Sequence, residues 1–123
     1  MRFARWVLWL SALVWAGFGV LFATRPDLLS GANLVVDDPL ARIEIRALYG
    51  GLELGIAAFL VWSTRRDERL RSGLMLTAMA LGLMALVRLG AIAVEGVSSP
   101  LIWGLGAAEA AGAILATVAL RRL

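Results

Sequence analysis

The sequence predicts an all-α integral membrane protein, a four-transmembrane-helix bundle, and three observations lead there. The chain is 61% hydrophobic, with a mean hydropathy of +0.85 over its 123 residues, whereas soluble domains average about 45–50% apolar residues. Four apolar runs, each about the 20 residues that one hydrocarbon crossing needs, are separated by polar stretches. The arginines gather in alternate connections rather than along the runs. A water-soluble fold of this size has too little interior to hide so much apolar surface. Residues 1–123 therefore read as a single four-helix transmembrane domain, with crossings over 6–24, 46–64, 72–94 and 100–120 and an external connection over 25–45.

The first run, Trp6 to Thr24, carries no charge and follows Arg2 and Arg5. A signal peptide also begins with positive charge and an apolar stretch, but its apolar core is roughly 7–15 residues long. Here the run is longer, and Phe22-Ala23-Thr24-Arg25-Pro26 offers no small-x-small cleavage site, so a retained helix is expected. Pro26 drives Arg25 out of the α region and stops it. Pro26-Asp27-Leu28-Leu29-Ser30-Gly31 reads as one helical turn closed by glycine. Asp38-Pro39 then reads as an N-cap followed by proline at the first helical position. A helix from there to Thr64 spans about 39 Å, more than the ~30 Å hydrocarbon layer. Its first two turns, with Arg42 and Glu44, should project beyond the layer or lie at its interface.

Arg65-Arg66-Asp67-Glu68-Arg69-Leu70-Arg71 reads as a short arginine-rich turn. The third crossing, Ser72 to Val94, is broken by one charge, Arg88. Glu95-Gly96-Val97-Ser98-Ser99-Pro100 reads as the last turn. The fourth crossing contains only Glu109, and Arg121 and Arg122 follow it. Orientation comes from arginine placement. Arg2, Arg5, Arg65, Arg66, Arg69, Arg71, Arg121 and Arg122 all fall on one side, while the first connection dilutes its arginines with acids and the third has none. Both termini are thus expected in the cytoplasm, in a multi-pass protein of the inner (cytoplasmic) membrane. Trp6, Trp9 and Trp62 fall near the inner interface and Trp103 near the outer, where amphipathic rings gather.

Cysteine and histidine are absent. That excludes disulfides, thiolate or imidazole metal ligands, and Ser-His or Cys-His catalysis. The acids are too scattered for a carboxylate metal site, so no metal and no cofactor are expected. All twelve basic residues are arginine. The pI of about 11.0 reflects arginines at helix ends, so nucleic acid is a poor partner and the lipid bilayer the natural one. Gly51 with Gly55, and Gly104, Ala108, Gly112 and Ala116, recur at the spacing that lets helices approach closely in lipid.

The charges inside the runs carry the functional content. A charge at mid-crossing costs about 2.5–3.5 kcal/mol and is rarely retained unpaired. Glu53, Arg88 and Glu109 are the deep charges of three different crossings, and each lies roughly 10–14 Å below the same, external, surface at 1.5 Å per residue. Arg46 stands seven residues before Glu53 and Glu95 seven after Arg88, nearly two helical turns in each case, with Tyr49 between Arg46 and Glu53. The expectation is a polar column with Arg46 and Glu95 at the rim, Tyr49 below, and Arg88 holding Glu53 and Glu109 through its five donors. Two ionised glutamates around one deep arginine leave excess negative charge, so one is expected to keep its proton. Trp103 and the space beside Gly50 and Gly51 complete the candidate ligand-binding set.

Arg46-Ala47-Leu48-Tyr49-Gly50-Gly51, an RAxYGG element continuing through Leu52-Glu53-Leu54-Gly55, resembles the signature of a bacterial family of small four-helix membrane proteins of unknown function, domain-of-unknown-function family 4345. The resemblance continues at Arg88-Leu89-Gly90, at Glu95-Gly96, where the family more often has aspartate, and at Glu109, and it spans nearly the whole chain. It implies the four-helix architecture and the importance of these polar positions, with no activity to carry over.

Two bland readings stand beside the functional ones: plain helix packing for the small residues, and a salt-bridge network fixing register for the charges. Among functions, the first is binding of an amphipathic small molecule (lipid, quinone or isoprenoid) or seating of a partner membrane subunit or second copy. The alternative is a metal-free acid/base enzyme of isomerase or cyclase type on a lipophilic substrate, with Glu53 and Glu109 as acid and base and Arg88 stabilising negative charge. A proton-coupled small transporter ranks third, because small multidrug transporters rely on a glutamate in the first helix and Trp6 to Thr24 has none.

Overall fold

In the computed structural model the described residues are 1–32, 36–96 and 99–123. Residues 33–35 of the first connection, and Val97 and Ser98 of the last turn, lie outside them. The chain is all-α. Four helices are long and apolar enough to cross a membrane: α1 (Arg2–Thr24), α2 (Pro39–Thr64), α3 (Asp67–Glu95) and α4 (Pro100–Arg121). A short 3-10 helix, Pro26–Ala32, follows α1.

The helix ends follow from local chemistry. The Asp38 carboxylate accepts the Leu40 N–H at 2.9 Å while Pro39 occupies the first position, where no N–H is needed. Ser99 does the same for α4, its Oγ accepting from the Ile102 N–H at 3.2 Å ahead of Pro100. Helix α3 ends on Gly96, whose φ of 65° is left-handed and whose N–H closes on the Ile92 carbonyl at 3.0 Å; glycine takes that conformation without steric penalty. Between α1 and the 3-10 turn, Arg25 donates to both Asp27 oxygens at 3.3 Å. That hydrogen bonding holds the Asp27 carboxyl below its ordinary range.

Three features depart from the sequence expectation. Asp67 to Arg71 are not a turn: only Arg65 and Arg66 separate α2 from α3, because Asp67 and Glu68 in the first turn suit the positive end of the helix dipole. Helix α1 begins at Arg2 rather than Trp6. The third departure is inside α2, where Arg46–Leu52 forms a π-helical stretch of seven residues. A π turn closes i→i+5, so it carries an extra residue per turn and shifts which side chains share a face.

Close contacts gather the described residues into two compact units, one of Met1–Leu8 with Ser63–Leu123, the other Trp9–Trp62. In the first unit α3 and α4 form an antiparallel hairpin. A Cβ at Gly112 would meet Leu81 at 2.5 Å, and one at Gly82 would stand 3.8 Å from Ala113. Leu70, Leu74, Thr77 and Ala85 face inward from α3, and Gly106, Glu109, Ala116 and Ala119 from α4. The inward stripe of α4 thus runs through Gly106 and Glu109; Gly104 has open space where a Cβ would be, and Ala108 is exposed. The Thr77 hydroxyl, fully buried, donates to the Gly73 carbonyl at 3.0 Å, so it enters an apolar seam with its donor satisfied. Gly73 lets Ser63 and Leu8 close in, since a Cβ there would stand 2.8 Å from the Ser63 Cβ. At the same end Arg5 pairs with Asp67 at 2.8 Å and Arg122 lies over the Phe3 ring at 5.3 Å.

In the second unit α1 meets α2 at two glycines. A Cβ on Gly50 would stand 2.8 Å from both Cα and Cβ of Ala23, and one on Gly19 would stand 3.0 Å from the Leu54 nitrogen. Phe22 meets Tyr49 edge-on, ring centres 5.9 Å apart. Gly51 and Gly55, the pair expected at the interface, stand in open space or touch only their own helix. The π stretch ends at Leu52, between the two, so a register counted in α-helical turns does not carry from one to the other.

Replacing Gly50 by alanine should therefore cost about 1–3 kcal/mol, because the neighbour is backbone and cannot yield. Gly55→Ala should be neutral or stabilising by up to ~1 kcal/mol through helix propensity. Unfolding of both variants in detergent separates the two positions; equal effects would mean that the close approach is not at Gly50.

Candidate functional site

Arg88 follows Leu74, Thr77, Leu81 and Ala85 along the inward stripe of α3, at the three- and four-residue steps that keep one helix face. Glu109 sits three residues after Gly106 on α4. The hairpin brings them together. Arg88 Nε donates to Glu109 Oε2 at 2.9 Å, and Nη2 donates to Oε1, a fork of two parallel bonds. The Glu109 side chain is 9% exposed and the Arg88 side chain 27%. Gly106 supplies the room: a Cβ there would stand 3.3 Å from Arg88 Cδ. The arginine stem lies across the missing side chain, and its charged head reaches the next turn of α4.

A groove of about 640 Å³ opens beside this pair, lined by Leu83, Met84, Val87, Arg88, Ala91, Ile92, Glu95 and Ile102. Its volume falls in the range of small-molecule sites, roughly 300–1,000 Å³, and so does its makeup of apolar walls with few polar groups. The α3 residues recur every four positions from Leu83 to Glu95. Glu95 ends the row, exposed, and enters no ion pair among the described residues.

Of the remaining candidates, Arg46, Tyr49 and Glu53 belong to the second unit and Trp103 to the first. Arg46 lines a smaller cleft with Pro39, Arg42 and Ile43. The Tyr49 ring packs against Phe22. Glu53 is half-buried and forms no ion pair among the described residues, and its Oε2 is buried without a hydrogen-bond partner among them. The expected column Arg46–Tyr49–Glu53 is thus not held as one stripe, because the π stretch spans the seven residues whose spacing was counted as two α turns. Of the two carboxylates expected at Arg88, Glu109 takes the guanidinium fork. Trp103 is half-exposed and does not line the groove; its neighbour Ile102 does. No group of three or more acidic side chains that could hold a metal ion gathers among the described residues.

Sequence reasoning missed Leu83, Met84, Val87, Ala91, Ile92 and Gly106. Helix α3 is apolar all round, so hydrophobic periodicity gives no sign of which row walls a groove. The one usable signal was the spacing of Arg88 and Glu95.

Arg88→Leu should destabilise the protein by about 3–5 kcal/mol, since it leaves a buried carboxylate without its counter-charge. Adding Glu109→Leu should recover most of that loss, as an apolar pair of similar volume suits lipid. Unfolding in detergent of both single variants and the double variant gives the coupling; additive effects would deny the pair any energetic role.

Comparison with curated proteins and with solved structures gave no match to the chain. A family model does match, over residues 3–120, which takes in all four helices and both members of the buried pair. The chain belongs to the family described as Domain of unknown function (DUF4345).

Proposed function

We propose that this protein is a membrane-embedded binding protein whose α3 groove holds an amphipathic small molecule, with the apolar part against Leu83, Met84, Val87 and Ile92 and the polar end at Arg88 and Glu95. The observation that carries this reading is the groove itself: a row of apolar side chains that ends in charged groups, on a helix otherwise suited to lipid contact. A packing-only role explains the Arg88–Glu109 pair but gives no reason for an open groove beside it. The acid/base enzyme has less support, because both Glu109 oxygens are engaged by Arg88.

The test is to purify wild type and Val87→Trp gently and compare co-purifying lipids, quinones and isoprenoids by mass spectrometry. Val87 is 70% exposed, so a bulky ring there fills the groove without disturbing the hairpin. An amphiphile enriched in wild type and depleted at least several-fold in Val87→Trp is expected. Identical lipid profiles would sink the binding reading.

The same proposal places the protein in the inner (cytoplasmic) membrane with both termini in the cytoplasm, supported by the arginine-rich end that joins the start of α1, the start of α3 and the end of α4. Glu95 and the groove mouth then face outward. A cysteine at Leu28 should react with an impermeant maleimide in intact cells, and one at Arg66 only after lysis. The opposite pattern would turn the groove toward the cytoplasm.

A further inference from the structure

We infer that the groove selects an amphipathic cation, a single protonated or quaternary amine on an apolar tail. This rests on the groove's reading as a ligand site and names the chemistry of its occupant. Three observations converge on it.

The first is charge. Arg88 is the groove's one positive side chain, and Glu109 matches it through two hydrogen bonds. Glu95 remains, with no ion pair among the described residues, so the groove and the group behind it carry one negative charge in excess. The second is position. Glu95 is the last residue of α3, whose last turn contains no basic residue. The C-terminal end of a helix is the negative end of its dipole, where cations are favoured and an acidic side chain is disfavoured. A carboxylate and a helix terminus of the same sign therefore lie side by side, in a chain segment with no arginine between Arg88 and Arg121. The third is shape. From Leu83 to Glu95 the wall runs about 18 Å along α3 at 1.5 Å per residue, apolar except at Arg88 and Glu95. A tail laid along it brings its head to Glu95, beyond the engaged arginine.

An anionic head would meet Glu95 with its own sign. A zwitterionic phospholipid would carry a phosphate to the same place. The complement that remains is a lone ammonium, which supplies the missing positive charge and suits the helix end.

The experiment uses the full-length protein in phosphatidylcholine nanodiscs and four diazirine-tagged probes, read by peptide mapping of the cross-links. Three share a C12 tail and differ in the head: trimethylammonium, hydroxyl and sulfonate. The fourth is a tagged phosphatidylethanolamine. The ammonium probe should label residues 83–95 about five- to tenfold more than the hydroxyl probe, with sulfonate weakest; tenfold corresponds to about 1.4 kcal/mol. Glu95→Gln should abolish the preference and Glu95→Lys should reverse it toward sulfonate. Equal labelling by all heads, a preference for sulfonate, or phosphatidylethanolamine matching the ammonium probe would overturn the inference while leaving an occupied groove. Labelling scattered over the lipid-facing surface and unchanged in Val87→Trp would remove the ligand site itself, and the inference with it.

Discussion

A charged side chain in hydrocarbon has two stable options, to reach the interface or to meet its opposite. Arg88 meets its opposite, and much of the first unit follows from that. The bond to Glu109 uses both oxygens and two guanidinium nitrogens, so it is directional as well as neutralising. Small residues on α4 offer little to choose between one register and another a turn away, because an alanine or glycine meets a leucine in either. Sliding α4 past α3 by one turn, about 5.4 Å, would separate the charges inside lipid. With the pair in place, Leu81 falls opposite Gly112 and Gly82 opposite Ala113. The apolar seam supplies the packing, and the ion pair decides the alignment.

Close approach of backbones does the corresponding work elsewhere. Apolar burial gives little drive between helices already surrounded by hydrocarbon, so contact depends on van der Waals fit and small side chains. Gly73 against Ser63 and Leu8 is such a place in the first unit, and Gly50 against Ala23 in the second. In the second case the glycine sits inside the π stretch. Its wider turn has to keep its peptide groups bonded, since lipid offers no water to replace them, and the Glu53 N–H does bond to the Gly50 carbonyl at the far end.

What the sequence revealed and what it hid divide along a physical line. Hydropathy, caps and charge depth are properties of single residues or short strings, and they were legible. Asp38-Pro39 opened α2, and counting residues from the helix ends put Arg88 and Glu109 at one level. The pattern failed where the outcome depends on which helix face meets which partner. Gly50, Gly51 and Gly55 are indistinguishable as letters, and only the π register selects Gly50. Gly106 was hidden because its role lies in the arginine stem that crosses it. The groove was hidden because Leu83, Val87 and Ile92 read the same whether they touch lipid, protein or a ligand.

The four residues between Glu95 and Pro100 bear on how the chain enters the bilayer. A lone α3 would carry Arg88 into hydrocarbon uncompensated, and a lone α4 would carry Glu109, each at a cost of about 2.5–3.5 kcal/mol. With so short a connection, α3 and α4 can enter as one hairpin in which Arg88 and Glu109 already face each other. Inserted as a hairpin, neither helix would bear that cost, and Gly96, turning the chain at φ 65°, opens the connection that lets the second helix fold back.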